Sequence, residues 1–352
     1  MKLPTLKDIA NEAGLSNCVV SHVLHNDAYA AKVRPETRQR ILEIARKLGY
    51  VQNQLASATR TGQVNTIALI VNFTKLQNPA PVSQIISGVM MESSARYYSI
   101  KIFSEDELEL AFRQIAENRI DKVISMSVDH DLREHTAELA DKYSMHLVFA
   151  YERGQGKFPA VNTDNVEVTA SAVRYLAKHG HSRIGLLSAP RRWFFIEDRH
   201  NGYLQGMAQC GLEIDPRWIF VTDDIEQPVA RILSVPKKER PTAFVALSDP
   251  VAMKAQRQAW KLKLRIPEDF SVVGVGDLEA SRLAMVPITT FRENLFETGK
   301  LLVRLVLGEQ VNIPPDEHNV YRTHAELIER ESVCDLANRK IQATSHKSQV
   351  TR

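Results

Sequence analysis

Long apolar runs are missing from this 352-residue chain. No stretch approaches the roughly 18 apolar residues that a bilayer-spanning helix needs. The opening residues, Met1-Lys2-Leu3-Pro4-Thr5-Leu6-Lys7-Asp8, hold no apolar core of a signal peptide. Neither secretion nor membrane insertion is therefore expected. Cysteine is scarce: Cys18, Cys210 and Cys334 are odd in number and far apart. That argues against a disulfide framework or a zinc cluster and fits a reducing cytoplasm. Enzyme signatures are missing too, with no Walker loop, no His-Glu-x-x-His and no Gly-x-Ser-x-Gly. Gly274-Val275-Gly276 lacks the third glycine of a dinucleotide fingerprint. The expectation is a cytoplasmic protein without cofactor or catalytic role.

What is present suits two or three domains. The chain is 44% hydrophobic and 25% charged, enough to bury sizeable cores. Net charge is only +3, but it is unevenly spread. Residues 1–62 carry nine Lys/Arg against five Asp/Glu, leaving the remainder near neutral. A small basic head on a neutral body is the footprint of a DNA-binding module, although ordinary charge scatter gives the same count.

The head reads as three short helices. Leu6, Ile9, Ala10 and Ala13 share one helical face. Gly14 can take the positive φ that ends a helix, and Ser16 suits the next N-cap. In the second helix Val20, Val23 and Leu24 share one side, while Asn17, Cys18, Ser21, His22 and His25 line the other. Pro35 suits the first position of a third helix, which buries Ile41, Ile44, Ala45 and Leu48. This is a helix-turn-helix pattern, with a second helix that would enter the major groove. A plain three-helix bundle with a solvated polar face is the competing reading.

The residues Thr5-Leu6-Lys7-Asp8-Ile9-Ala10-Asn11-Glu12-Ala13-Gly14-Leu15-Ser16 are followed by Val20-Ser21, Thr37-Arg38, Leu48-Gly49-Tyr50 and Asn53. The pattern resembles the lactose-repressor/galactose-repressor family of bacterial transcription regulators. The resemblance implies that Asn17, Cys18 and His22 read bases. Asn17 can pair bidentately with adenine, a contact giving ~1–3 kcal/mol of discrimination. His22 replaces the usual arginine and offers one hydrogen bond instead of a fork. Cys18 offers a small contact surface or a redox switch. Thr5, Ser16, Ser21 and Thr37 are placed for phosphates, and so is Arg34, which stands where a serine N-cap is usual. Residues 51–65 read as a hinge. In the family a hinge helix enters the minor groove, and Asn53, Ala56 and Thr59 fall at its contact positions. Thr59 replaces the usual wedge leucine and Gln52 the usual proline, so weaker DNA bending is expected.

From Thr66 onward, apolar runs alternate with helical stretches. The runs fall at 67–71, 100–103, 122–126, 146–150, 183–187, 243–247 and 271–275. This predicts parallel sheets with helices on both faces and a ligand at the carboxyl ends of the strands. Val161-Asn162-Thr163-Asp164-Asn165, Gly180-His181-Ser182-Arg183-Ile184-Gly185 and Arg199-His200-Asn201-Gly202-Tyr203 extend the family resemblance.

The fold so implied is α/β: a three-helix helix-turn-helix head and a two-lobed, periplasmic-binding-protein-like, doubly wound body. The expected domains are a head at 1–50, a hinge at 51–65, a body at 66–330 and a polar tail at 331–352. Within the body the N-lobe is 66–162 with 292–324, and the C-lobe is 163–291. The implied effector-binding residues are Phe73, Arg199 at the opening of a helix, Ser248 and Asp277. Where the family usually reads Gly-Phe-Asp-Asp, this chain has Gly274-Val275-Gly276-Asp277. The first carboxylate, which grips sugar hydroxyls, is therefore missing. Either the effector is not a typical sugar or another residue supplies the acceptor. His179 and His181 flank Gly180 and are read as the family's Gly-His turn, not as a metal site. The tail has no leucine heptad, so a dimer is expected and not a tetramer. The whole reads as a repressor: a homodimer on a pseudo-palindromic operator, controlled by a small polar effector between the lobes. A solute-binding protein without a transcriptional role is the alternative, and an enzyme a third reading.

Overall fold

The computed structural model describes residues 4–25, 29–51, 64–72, 80–190 and 193–337. The chain divides into two compact units, Met1–Asn65 and Thr66–Arg352. In the first, α1 (Leu6–Ala13), α2 (Asn17–His25) and α3 (Pro35–Leu48) close around Ile9, Ala13, Val20, Val23, Ile41 and Ala45. These are positions that the helical spacing selects. Full burial of a Val, Leu or Ile side chain contributes roughly 1.5–3 kcal/mol. Gly14 ends α1 and Gly49 ends α3, each at φ 67°, a left-handed conformation that a side chain would strain.

The second unit holds two six-stranded sheets. One contains β1 (Thr66–Val71), β2 (Ser99–Ser104), β3 (Lys122–Ser125), β4 (His146–Ala150), β5 (Ala160–Thr163) and β11 (Val320–Thr323). Its order is β11-β5-β4-β3-β1-β2, with every pair parallel. The other contains β6 (Ile184–Ser188), β7 (Ile219–Val221), β8 (Ala243–Ala246), β9 (Ser271–Val275), β10 (Thr289–Glu293) and β12 (Ala325–Ile328). Its order is β12-β10-β9-β8-β6-β7, and only β12 runs antiparallel.

Both sheets are covered on both faces, which is why the central strands read as unbroken apolar runs. On the first sheet, α4 (Ala80–Ala95) and α12 (Leu295–Val306) cover one face, and α5 (Leu108–Glu117) and α6 (His130–Lys142) the other. On the second, α7 (Asn165–Lys178) and α8 (Phe194–Gln209) oppose α9 (Glu226–Ser234) and α10 (Asp249–Lys261). Glycine sets the closest helix approach. A Cβ on Gly88 of α4 would lie 2.0 Å from the Phe296 carbonyl oxygen of α12, and one on Gly299 would lie 2.1 Å from that of Ile85.

The chain passes between the sheets after β5, after β10 and between β11 and β12. Each lobe is therefore discontinuous in sequence. Strand β10 carries Arg292 and Glu293 within the second sheet, two residues past the expected lobe boundary. The expected polar tail also needs correction, because its first residues are docked. Ser332 is buried, accepts the Thr289 N–H at 2.9 Å and donates to the Val272 carbonyl at 2.6 Å. The Cys334 N–H donates to Ser271 Oγ at 3.0 Å. His181 joins this anchor through Thr242 Oγ1 at 2.9 Å and the Cys334 carbonyl at 3.0 Å. Burial pulls its pKa down to about 4, so the ring is neutral and structural.

Candidate nucleic-acid interface and interlobe cleft

The head builds a rigid edge around α2. Thr5 and Asp8 form a reciprocal cap: the Asp8 N–H donates to Thr5 Oγ1, and the Thr5 N–H to Asp8 Oδ2 at 2.7 Å. Ser16 accepts the Val19 N–H at 3.4 Å at the start of α2. Asn17 and Cys18 are exposed, while Ser21 and His22 are half-buried. Arg34 precedes α3 without a side-chain cap and is exposed, and Thr37 is half-buried in the first turn. The structure thus sets Asn17, Cys18, Ser21 and His22 together on the face away from the core. The side chain of His25, and Asn53, Ala56, Thr59 and Phe73, lie outside the described residues.

The two sheets meet at the carboxyl ends of their strands. Arg199 lies there, only 5% exposed. It stands in the second turn of α8, not at the helix opening as expected, because the apolar Trp193-Phe194-Phe195 segment starts that helix earlier. Its Nε donates to Asn165 Oδ1 at 2.6 Å, Nη1 to the Leu247 carbonyl at 2.8 Å and Nη2 to Glu293 Oε1 at 2.8 Å. Ser248 follows Leu247 at the end of β8 and is half-buried, with no capping bond from its side chain.

Across the cleft, β4 is followed by Tyr151-Glu152-Arg153, whose first two residues take left-handed φ of 61° and 55°. Glu152 is 2% exposed. Its Oε2 accepts the Phe194 N–H at 2.7 Å at the head of α8, where the helix dipole favours an anion. Its Oε1 and the Tyr151 hydroxyl are buried without a hydrogen-bond partner among the described residues. Burial drives the Glu152 carboxyl up to about 7, against the opposing pull of the Phe194 N–H and Arg133. Arg133 is buried over the Phe149 ring at 4.0 Å and donates to the Ser127 and Arg153 carbonyls. Burial lowers its pKa to about 10. Asp198 of α8 receives two arginines from the first lobe, Arg153 at 3.4 Å and Arg322 at 3.3 Å.

The expectation that Asp277 faces an effector is corrected. Its carboxylate binds Arg282 at 2.9 Å, Arg292 at 2.7 Å and Arg330, and its side chain is 1% exposed. Burial pushes its pKa up, but the three guanidinium bonds outweigh that and hold it at about 2. Asp249 is an internal anchor of the same kind. It accepts Thr290 Oγ1 at 2.6 Å and the Leu278 N–H at 2.9 Å. A side chain on Gly274 would press within 2.3 Å of its Oδ1. The sequence reading missed Tyr151, Glu152, Arg153, Asn165, Asp198 and Glu293. The available signal was charged and polar residues directly after an apolar strand run, the place where open α/β sheets put ligands.

The buried Glu152 carboxyl generates a pH prediction. Its folded pKa lies above the unfolded value of about 4.5, so ionisation costs stability as pH rises from about 4.5 to 7. Glu152→Gln is therefore expected to gain stability over wild type across that window and to hold a constant gain above it. Paired thermal unfolding curves from pH 4.5 to 8 check this. A difference that stays flat over the window contradicts the assignment.

Comparison with known proteins agrees with this architecture. Residues 5–53 match the model for bacterial regulatory proteins of the lacI family, and residues 173–333 match the periplasmic binding protein-like domain. The chain is 28% identical over 319 residues to the HTH-type transcriptional repressor CytR of Escherichia coli (strain K12), covering 87% of this chain and 89% of that one. It is 27% identical over 341 residues to the HTH-type transcriptional repressor PurR of Pasteurella multocida (strain Pm70), covering 94% and 99%. Among solved structures, the lac repressor dimer bound to operator and the anti-inducer ONPF gives a TM-score of 0.69 at 21% identity, covering 95% of this chain and all of that one. The complex of the transcriptional regulator CelR with cellobiose gives 0.64 at 24% identity, covering 94% and 99%. These two likenesses concern the fold. A lacI-family DNA-binding domain thus lies ahead of a periplasmic-binding-protein-like domain in this chain, the arrangement of a DNA-binding transcriptional regulator.

Proposed function

We propose that this regulator is a cytoplasmic repressor that binds a pseudo-palindromic operator as a homodimer and responds to a small polar effector held between the lobes. The observation that carries the reading is the pairing of two features in one chain. One is an exposed polar edge on α2, and the other is a buried polar cleft at the strand ends. No described helix is long and apolar enough to cross a membrane.

For the effector site we propose Arg199, Ser248, Glu152 and Tyr151, with Phe73 as an expectation carried from the sequence. Arg199 is already matched by Glu293, so an added anion would compete with an internal carboxylate. Glu152 Oε1 and the Tyr151 hydroxyl supply acceptors in place of the aspartate missing at Gly276. This favours a ligand rich in hydrogen-bond donors, such as a polyhydroxylated metabolite.

The dimer reading rests on apolar side chains that a monomer would leave in water. Met90 and Met91 on α4, Tyr97 and Ile102 are exposed on the first lobe, and Trp260, Leu283 and Met285 on the second. Large exposed apolar side chains become interaction sites where they gather into a patch. A two-fold dimer matches two half-sites one or more helical turns apart.

Two outcomes are expected. In vitro selection with the whole chain enriches a two-half-site sequence, and Asn17→Ala loses preference at one symmetric base pair, at a cost of about 1–3 kcal/mol. Uniform weakening on all sequences would remove Asn17 from the reading face. Sedimentation at micromolar concentration gives a dimer, and Met91→Glu shifts it toward monomer. A wild-type monomer contradicts the assembly.

A further inference from the structure

The head contains an aromatic contact that the helix-turn-helix reading does not use. His22 on α2 packs against Tyr29, with ring centroids 4.6 Å apart and planes inclined by 39°. Tyr29 immediately precedes a short 3-10 turn, Ala30–Lys32, in which the Lys32 N–H donates to the Tyr29 carbonyl at 3.0 Å. Ala30 is buried, and its carbonyl accepts Arg38 Nη2 of α3 at 2.7 Å. The Tyr29 backbone is therefore anchored to the third helix while its side chain stays 48% exposed beside α2. Lys32 Nζ lies 5.7 Å from the centre of the same ring.

Imidazole hydrogen bonds form at the ring nitrogens, so the direction of any bond to a base depends on how the ring is turned. A neighbouring ring packed this closely restricts that turning. This matters for His22, which is short and can make one bond to a base where an arginine would make two. A single bond discriminates only if its direction is set before binding; otherwise ordering the side chain offsets the gain.

We infer that Tyr29 is a specificity-determining positioning residue, which holds the His22 ring so that it reads one base pair in each half-site. The inference rests on the operator reading above. Tyr29 acts through His22 and through its ring, so its hydroxyl is dispensable. Lys32 adds a cation beside the ring that suits a phosphate, a contact without sequence preference.

The test uses the full-length protein and a sequence selected from a random DNA pool, with affinities measured for every single-base variant of one half-site. Tyr29→Ala is expected to flatten preference at one base pair by about five- to tenfold and to leave the other positions unchanged. Tyr29→Phe keeps the wild-type profile. His22→Ala flattens the same position, and the double variant loses no more than His22→Ala alone. The inference is overturned if Tyr29→Ala keeps the full profile. It is also overturned if Tyr29→Ala and Tyr29→Phe both weaken binding equally at all positions, which would make Tyr29 a phosphate contact through its hydroxyl. Circular dichroism melting of each variant separates loss of the head fold from loss of reading, because an unfolded head abolishes binding to every sequence. Failure of the wild type to enrich any sequence would sink the operator reading itself, a result distinct from these.

Discussion

A guanidinium withdrawn from water must be matched on every side, and the body of this protein is organised around that demand. Arg199 joins Asn165 of α7, the Leu247 carbonyl at the end of β8 and Glu293 at the end of β10. One side chain thus ties together the elements that meet at the cleft. Removing a single partner from such a buried pair leaves a charge unmatched, at a cost of about 3–5 kcal/mol. The same demand explains the three arginines on Asp277 and the two on Asp198. The carboxylates of Asp277 and Asp198 are thus matched within the protein itself. The polar atoms left over, Glu152 Oε1 and the Tyr151 hydroxyl, are the informative ones.

The head was legible because its signals are local. Capping residues, a glycine stop and apolar spacing all act within one helix, and the observed core holds Ile9, Ala13, Val20, Val23 and Ile41. In the body, the seven apolar runs correspond to β1, β2, β3, β4, β6, β8 and β9. Strands β5, β7, β10, β11 and β12 were not picked out. They span three to five residues each, and β10 reads Thr-Thr-Phe-Arg-Glu, too polar to stand out as a run. Their pairing is set by neighbours distant in sequence, as with β11 beside β5.

The cleft was less legible for the same reason. Ser248 follows β8 and Arg199 reaches the Leu247 carbonyl beside it from α8, whereas the Asp277 carboxylate is taken up by arginines. The partners that neutralise Asp277 lie 5, 15 and 53 residues away, and no local pattern announces them. Glu152 was passed over because an acidic residue after an apolar run reads as an ordinary strand exit. Its burial becomes visible only when α8 of the other lobe arrives to donate the Phe194 N–H.

These contacts also join the lobes. Glu152 and Arg153 of the first lobe meet Phe194 and Asp198 of the second, and Arg322 reinforces Asp198 from β11. We propose that an effector between the lobes acts by changing how they meet, so that operator affinity follows. A change confined to this lobe contact must then be felt at the DNA. The direct measurement is operator affinity of Asp198→Asn against wild type, by fluorescence anisotropy on the selected operator, with dimer and fold verified. The account predicts a shift of at least about fivefold, within the usual range of coupling energies. Superimposable binding curves would contradict it.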